Sequence, residues 1–305
     1  MGVFSIAAVE GQVFGDAVFL GHFEDNSAEW HEIRSQGIGG SDVAAICGVS
    51  KWSSAYALWA KKTGKISDDS GESEAMLWGK LLEPVIGAEF VRRHPELDVD
   101  LKPGSWASVE RPWQIVNPDG VYRKSDGSYG ILEIKTAAYE DDWQLGVPKY
   151  YRTQVQWYLQ AFGFSEAIVM VLFRGNKPEE FVVPADEFEQ SVNLSMVEEF
   201  VKCWHDDVPP AWDGSASTLE TVRAQHPEIE DGQVDLGELG VELMVRSAEF
   251  DYAQERLNEV KSQVLNAMGK ARHGVVVDVE GSEVKVASRM SRKGGQPYLV
   301  VSKNV

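Results

Sequence analysis

Between Ile131 and Phe173 the chain reads strand, helix, strand, and no other stretch narrows the fold as much. ILEIK at 131–135 alternates apolar and charged side chains, and Val155, Tyr158, Leu159 and Phe162 share one face of a helix over 149–162. AIVMVLF at 167–173 is then an unbroken apolar strand. Two strands joined through a helix predict an α/β (α+β) fold, a central mixed β-sheet flanked by helices. Upstream, SWASVE from Ser105, WQIVNPDGVYR from Trp113 and a turn at SDGSYG read as a β-meander that leads into ILEIK.

Helical spacing predicts two helices between Ser41 and Trp59, broken by a turn at Gly48–Ser54. A third, WGKLLEPVIGAEFVRRH, ends before Pro95 and places Glu83 at its start. A helix over 188–204 stops at DDVPPAWDG, which sets the boundary of a first domain at 1–213. Residues 214–235 read as a loop-rich linker. The third segment, 236–305, opens with a long helix whose near-heptad stripe runs Leu239, Leu243, Phe250, Ala253, Leu257, Val260, Val264 and Ala267. Arg246 interrupts the stripe, and Gly269 is a plausible terminator. A small β-meander follows, with Lys270, Arg272, Lys285, Arg289, Arg292, Lys293 and Lys303 set against Asp278, Glu280 and Glu283.

The net charge of −19 over 305 residues argues against a protein that grips phosphates over its whole surface. Charge is uneven, however. From Arg34 to Lys65 the bases Arg34, Lys51, Lys61, Lys62 and Lys65 face one acid, Asp42. Cys47 and Cys203 lie far apart without CxxC or Cys/His spacing, so they read as buried apolar residues and not as a disulfide or zinc site. None of the six His shows HExxH spacing, and Gly39-Gly40 is not followed by Gly-Lys-Ser/Thr, so no nucleotide-binding loop is indicated. No apolar run reaches the roughly 20 residues that span a bilayer, and the N-terminal stretch lacks a signal-peptide pattern. The expectation is a cytoplasmic protein without a membrane partner.

Glu133 and Lys135, two apart on one strand, project from the same face. Asp119, in Pro118-Asp119-Gly120, sits at the start of the neighbouring strand. Two carboxylates from adjacent strands can hold a hard divalent cation, while a lysine beside them orients or deprotonates a water. Alone, a carboxylate and a lysine at this spacing recur by chance and form a solvated face. Ile131, Leu132 and Ile134 make this strand half-buried, which favours the first reading. Arg34 and Ser41 likewise admit two readings: an anion pocket at a helix start, or a helix cap beside an ion pair.

From about residue 28 to 175 five blocks occur in one order: AEWHEIRSQGIGGSDVAAI with Trp30, Arg34 and Ser41; LWGKLLEP with Glu83; NPDGVY with Asp119; GILEIK with Glu133 and Lys135; YYRTQVQWYL with Gln154. In these blocks the chain resembles the lambda exonuclease, or YqaJ-like, family of phage recombination nucleases in the PD-(D/E)XK class. The resemblance implies a restriction-endonuclease-like core. Asp119, Glu133, the Ile134 backbone carbonyl and Glu83 would hold Mg²⁺, with Mn²⁺ able to substitute. Lys135 would position or activate the water, Gln154 would sit against Lys135 or the scissile phosphate, and Tyr158 would pack beside it. Arg34 and Ser41 would bind a DNA 5′-phosphate.

The implied activity is 5′ to 3′ exonuclease action on duplex DNA ends, leaving a 3′ single strand for a single-strand annealing protein, by a ring-shaped homotrimer in the host cytoplasm if phage-encoded. Two alternatives stand beside it: an endonuclease cutting internally, and a non-catalytic DNA-end binding module. The intact Asp119, Glu133 and Lys135 argue against the second. For the C-terminal segment the readings are DNA contact through the basic meander, self-association, or a bundle packed on the first domain.

Overall fold

The structure, a computed structural model, describes residues 6, 9–24, 27–67, 71, 73–279, 281–292 and 294–302. The chain divides into two compact units, Met1–Glu228 and Ile229–Val305. The first begins with strands β1 (Val13–Phe14) and β2 (Ala17–Gly21) and helices α1 (Ala28–Ser35), α2 (Gly40–Ile46), α3 (Ala55–Lys62) and α4 (Glu74–Arg93). Strands β3 (Asp98–Asp100), β4 (Ser105–Ser108), β5 (Ile115–Val116), β6 (Gly120–Arg123) and β7 (Tyr129–Ala137) follow. Helix α5 (Lys149–Phe162), strands β8 (Glu166–Phe173) and β9 (Lys177–Pro184), and helices α6 (Glu187–His205) and α7 (Ala216–Gln225) complete it.

Helix starts follow local side-chain chemistry. The side chains of Ser27, Ser54, Ser73, Asp186 and Ser215 each accept the amide N–H three residues on, which satisfies one of the donors a helix leaves open at its first turn. Helix α5 starts after Pro148 and closes on Gly163 at φ 70°, a left-handed C-cap.

The central sheet has the order β3-β6-β7-β8-β9, and its only parallel pair is β7 with β8, joined through α5. The sheet is therefore mixed, as the strand–helix–strand reading predicts. Strand alternation sorts its side chains onto two faces. Ile131, Val169 and Val171 pack with Val155 and Leu159 of α5 on one face. Leu132, Ile134, Ile168 and Met170 pack with Ile86 and Phe90 of α4 on the other. The apolar run of β8 is explained by this burial on both sides.

Three expectations are corrected. The meander is not one sheet: β4 and β5 belong to an antiparallel sheet of order β1-β2-β4-β5, and the chain crosses to the central sheet at Asn117-Pro118-Asp119. Helix α4 starts at Glu74, not at Glu83, which lies in mid-helix just before Pro84. Residues 214–235 are not a plain linker, because α7 occupies part of them and the first unit runs past residue 213 to Glu228. Tyr56 OH donates to Gln225 Oε1 at 2.9 Å, the Thr218 and Ser54 hydroxyls lie 2.8 Å apart, and the Tyr56 and Trp212 rings stack at 4.6 Å. The buried residues of α7 are Thr218 and Thr221, polar positions that leave no apolar stripe to read.

The second unit holds α8 (Gly237–Met268), capped at Gly269 with φ 50°, and the antiparallel strands β10 (His273–Val277), β11 (Glu283–Met290) and β12 (Tyr298–Val301). Glu280, Lys293 and Lys303 of the basic meander lie outside the described residues. Among the described residues no helix is long and apolar enough to cross a membrane.

Candidate active site

Strand β7 sets Glu133 and Lys135 on the face covered by α5. Glu133 is fully buried, opposite Val169 of β8. Lys135 Nζ donates to Glu133 Oε1. Gln154, on α5, donates through Nε2 to the same oxygen at 2.7 Å, and its Nε2 lies 3.0 Å from the Tyr158 hydroxyl. Glu133 Oε2 has no hydrogen-bond partner among the described residues. A buried carboxylate oxygen in that position is costly unless a further donor or cation reaches it.

Asp119 arrives from the sheet crossing. Pairing of β6 with β7 ends at Gly120 opposite Leu132, and beyond that point Asp119 Oδ2 accepts the Ile134 N–H at 2.7 Å. The carboxylate thus replaces the next rung of the ladder, which fixes it beside Glu133. The sequence expectation gave Ile134 a role through its carbonyl; the contact seen is through its N–H.

These groups perturb one another. Burial, then the Asp119 charge, pushes the Glu133 carboxyl up to about 8, with Lys135 opposing and Glu83 adding to the rise. Burial would depress Lys135, but the charges of Glu133 and Asp119 outweigh it and hold the ammonium protonated. The Tyr158 hydroxyl is raised by burial and by Glu133. Among the described residues no three carboxylate, His or Cys side chains converge closely enough to enclose an ion. Glu83, Asp119 and Glu133 share the site electrostatically, while Asp119 and one oxygen of Glu133 are engaged by protein donors.

A cavity of about 940 Å³ opens onto this cluster. Glu83, Asp119, Gln154 and Tyr158 line it, and so do Arg34, Gly40 and Ser41. Gly40 is required by close approach: a Cβ there would lie 2.5 Å from Tyr158 Cε1 and 2.9 Å from Gln154 Cγ. Arg34 Nη2 donates to Ser41 Oγ at 3.1 Å, its guanidinium lies 4.6 Å from the centre of the Trp30 ring, and Asp42 Oδ1 is 3.6 Å from Nη2. Ser41 is not the helix cap. Gly39 is, and its N–H donates to Asp42 Oδ2 at 3.0 Å. Five of the seven predicted side chains, Arg34, Ser41, Glu83, Asp119 and Gln154, line this cleft; Glu133 and Lys135 are not among its lining residues and are tied to it through the Gln154 bond to Glu133.

Other sequence expectations change on folding. Most of the locally basic stretch is consumed internally: Lys51 pairs with Asp142, Lys65 with Asp207, and Lys62 donates to the carbonyls of Gly37 at 2.6 Å and Arg34 at 3.1 Å. Lys80 and Lys102, which the sequence did not single out, line the cleft. Cys47 and Cys203 are half-buried, not fully buried, and burial raises the Cys47 thiol to about 11. Next to Lys135 lies an aromatic group that was also missed. Lys135 Nζ is 5.0 Å from the Tyr151 ring centre, Trp52 sits edge-on to Tyr150 at 5.0 Å, and Trp52 is 64% exposed. Tyr151 stands three residues before Gln154 on α5, a spacing that helical periodicity could have flagged.

The YqaJ-like viral recombinase domain model matches residues 29–165. Over 268 residues the chain is 31% identical to the uncharacterized protein YqaJ of Bacillus subtilis (strain 168), covering 80% of this chain and 77% of that protein. The fold is similar to the crystal structure of the alkaline exonuclease LHK-Exo in complex with dAMP, with TM-score 0.50 and 19% identity over 60% of this chain and 94% of that one. A further structure of LHK-Exo, from Laribacter hongkongensis, gives TM-score 0.49 and 18% identity at the same coverage. The mixed α/β fold is thus common to this chain and the dAMP-bound structure.

Proposed function

The chain belongs to the YqaJ-like viral recombinase family, and from the geometry of its cleft we propose that it is a Mg²⁺-dependent DNA exonuclease that degrades the 5′ strand of linear duplex ends. The observation that carries this reading is Glu133: buried, with one oxygen held by Lys135 and Gln154 and the other without a partner among the described residues. Burial first, then the charges of Asp119 and Glu83, hold a proton on Glu133 up to about 8, so the site is short of positive charge. A divalent cation fits that deficit, and the donor set is all oxygen, as Mg²⁺ or Mn²⁺ requires.

Asp119, Glu133, the Ile134 carbonyl and Glu83 are the residues proposed to hold it. When bound, the metal would lower the pKa of a water and neutralise charge on the scissile phosphate. The remaining work falls to the chain itself. Lys135 stays protonated and can direct its N–H groups to the attacking oxygen or to a phosphate oxygen, so positioning suits it better than proton abstraction. Gln154 donates to the same Glu133 oxygen as Lys135 and braces Tyr158. Arg34 offers a planar fork in the same cleft and, with Ser41, is proposed to receive the 5′-phosphate of the end being degraded. Trp52, Tyr150 and Tyr151 supply an aromatic face beside Lys135 on which an unpaired base can stack. By family likeness a homotrimer and a single-strand annealing protein would complete the system.

The test uses linear duplex with and without a 5′-phosphate, beside a closed circle, under Mg²⁺. Release of mononucleotides from ends only, faster with the 5′-phosphate, is expected. Cutting of the circle would favour internal cleavage, and binding of ends without cleavage would leave a DNA-end binding module. Arg34→Ala should lower the preference for phosphorylated ends while sparing end-dependence, whereas full activity in Asp119→Ala would overturn the metal assignment.

A further inference from the structure

Helix α8 carries its apolar side chains where its own unit does not cover them. Among the described residues none of its residues is buried, and Leu239, Leu243, Phe250, Leu257 and Val260 are exposed, Phe250 by 68%. A surface of that kind is seldom left to water. The spacing is regular: Leu239, Leu243, Arg246, Phe250, Ala253, Leu257, Val260, Val264 and Ala267 alternate four and three residues apart. This is the seam of a coiled coil, with Leu243, Phe250, Leu257 and Val264 as one set of core positions and Leu239, Arg246, Ala253, Val260 and Ala267 as the other.

We propose that α8 pairs with α8 of a second copy of this chain as an antiparallel coiled coil, in the register that sets Phe250 against the partner's Ala253. Size complementarity selects this arrangement. The large Phe250 meets the small Ala253 twice per dimer, and Leu243 meets Val260, so the layers fill evenly. A parallel pair would instead stack Phe250 on Phe250 and leave Ala253 opposite Ala253, an overfull layer beside an empty one.

Charge selects the same arrangement independently. In the antiparallel register the positions flanking the seam bring Glu249 beside the partner's Arg256, and by symmetry Arg256 beside the partner's Glu249. A parallel pair would set Arg256 beside the partner's Lys261 and place the two Arg246 side chains in one core layer. In the antiparallel register Arg246 shares its layer with the partner's Leu257. Its guanidinium is held on its own helix by Glu242 at 3.7 Å and Glu249 at 2.9 Å, which leaves its aliphatic stem to cover that leucine.

The register also respects what is already covered. Lys261, Val264, Leu265 and Met268 are half-buried, and Met268 Sδ lies 3.4 Å from where a Cβ on Gly274 would stand. The C-terminal end of α8 is thus occupied by its own meander, and a pairing centred between Asp251 and Tyr252 uses the open part of the seam. Val241, Met244, Val245 and Tyr252 lie off the seam and stay outside it.

Light scattering on the full chain tests it, with Leu243→Glu/Leu257→Glu as the disrupting variant. The variant should show half the mass of the wild type, whatever assembly the first unit makes, with its DNA cleavage retained as evidence of folding. An unchanged mass would overturn the proposal, because α8 would then be covered by its own chain or remain single. Arg256→Glu tests the direction. It should weaken association about tenfold, since both flanking pairs become repulsive, and Glu249→Arg in the same chain should restore it. Stronger association of Arg256→Glu alone would mean the parallel arrangement and would refute the register.

Discussion

Replacing Glu133 with Gln should make the cation-free protein more stable at alkaline pH while removing its response to divalent metal. The Glu133 carboxyl is raised from its ordinary 4.5 to about 8, first by burial and then by the Asp119 charge. An acid whose pKa is raised on folding binds its proton more tightly in the folded state. Its penalty is therefore absent below about 4.5, grows as pH rises, and is complete above about 8. At about 1.4 kcal/mol per tenfold change, the rise from 4.5 to about 8 sets an upper bound of about 5 kcal/mol. Gln also removes the anion that faces Lys135, which returns part of that gain, so a net difference of about 2–3 kcal/mol is expected. Urea unfolding in chelator at pH 5, 6.5 and 8 reads it directly. The wild type should lose about 2–3 kcal/mol across this range relative to the variant. Saturating Mg²⁺ should then stabilise the wild type, by about 2.7 kcal/mol at a hundredfold excess over Kd, and leave Glu133→Gln nearly unmoved. Parallel pH curves, or equal stabilisation of both proteins by Mg²⁺, would refute the argument that Glu133 is a buried acid awaiting a cation.

The other predictions concern the frame of the site. Gly40→Ala drives a methyl to 2.5 Å from the Tyr158 ring; it should cost about 1–3 kcal/mol in a thermal melt and slow cleavage by displacing Gln154. A chain ended at Asp213 should be about 2–4 kcal/mol less stable than one ended at Glu228, because it strands Tyr56 and Ser54 without their α7 partners. Duplex affinity should depend only gently on salt. With Arg34, Lys80 and Lys102 as the bases lining the cleft, the log–log slope should be about −3, as a fluorescence-anisotropy titration in Ca²⁺ would measure.

Much of the site was legible because its residues obey short-range rules. Glu133 and Lys135 share a face by strand alternation, and Gln154 and Tyr158 share one by helical spacing, so local sequence already pairs them. The cleft that joins them is not local. Asp119 reaches Glu133 only because the chain leaves one sheet and enters another at Asn117-Pro118, and a strand pattern does not reveal which sheet a strand joins. Helix α7 escaped because the residues it buries are two threonines, Thr218, bonded to Ser54 and Asp213, and Thr221, and periodicity is read from apolar residues. Glu83 was found, but its helix was begun too late: the first turns of α4 keep Met76, Trp78 and Leu81 exposed, so no buried stripe marks where the helix starts.

Charge shows the same limit, and it bears on the proposed binding of DNA. The stretch from Arg34 to Lys65 is basic in sequence, yet Lys51 and Lys65 are spent on Asp142 and Asp207, and Lys62 is turned inward onto the carbonyls of Gly37 and Arg34. What that stretch gives the cleft is one cation, Arg34, held in place by the segment that Lys62 ties down. Lys80 and Lys102 reach the same cavity from residues distant in sequence. The bases of the cleft are therefore gathered by convergence in three dimensions, and they stand beside the carboxylates of Glu83, Asp100 and Asp119. The chain as a whole, at net −19, repels duplex over most of its surface. A protein charged in this way should favour the terminus of a DNA molecule, which can enter a cavity, over its middle, which must lie along a surface.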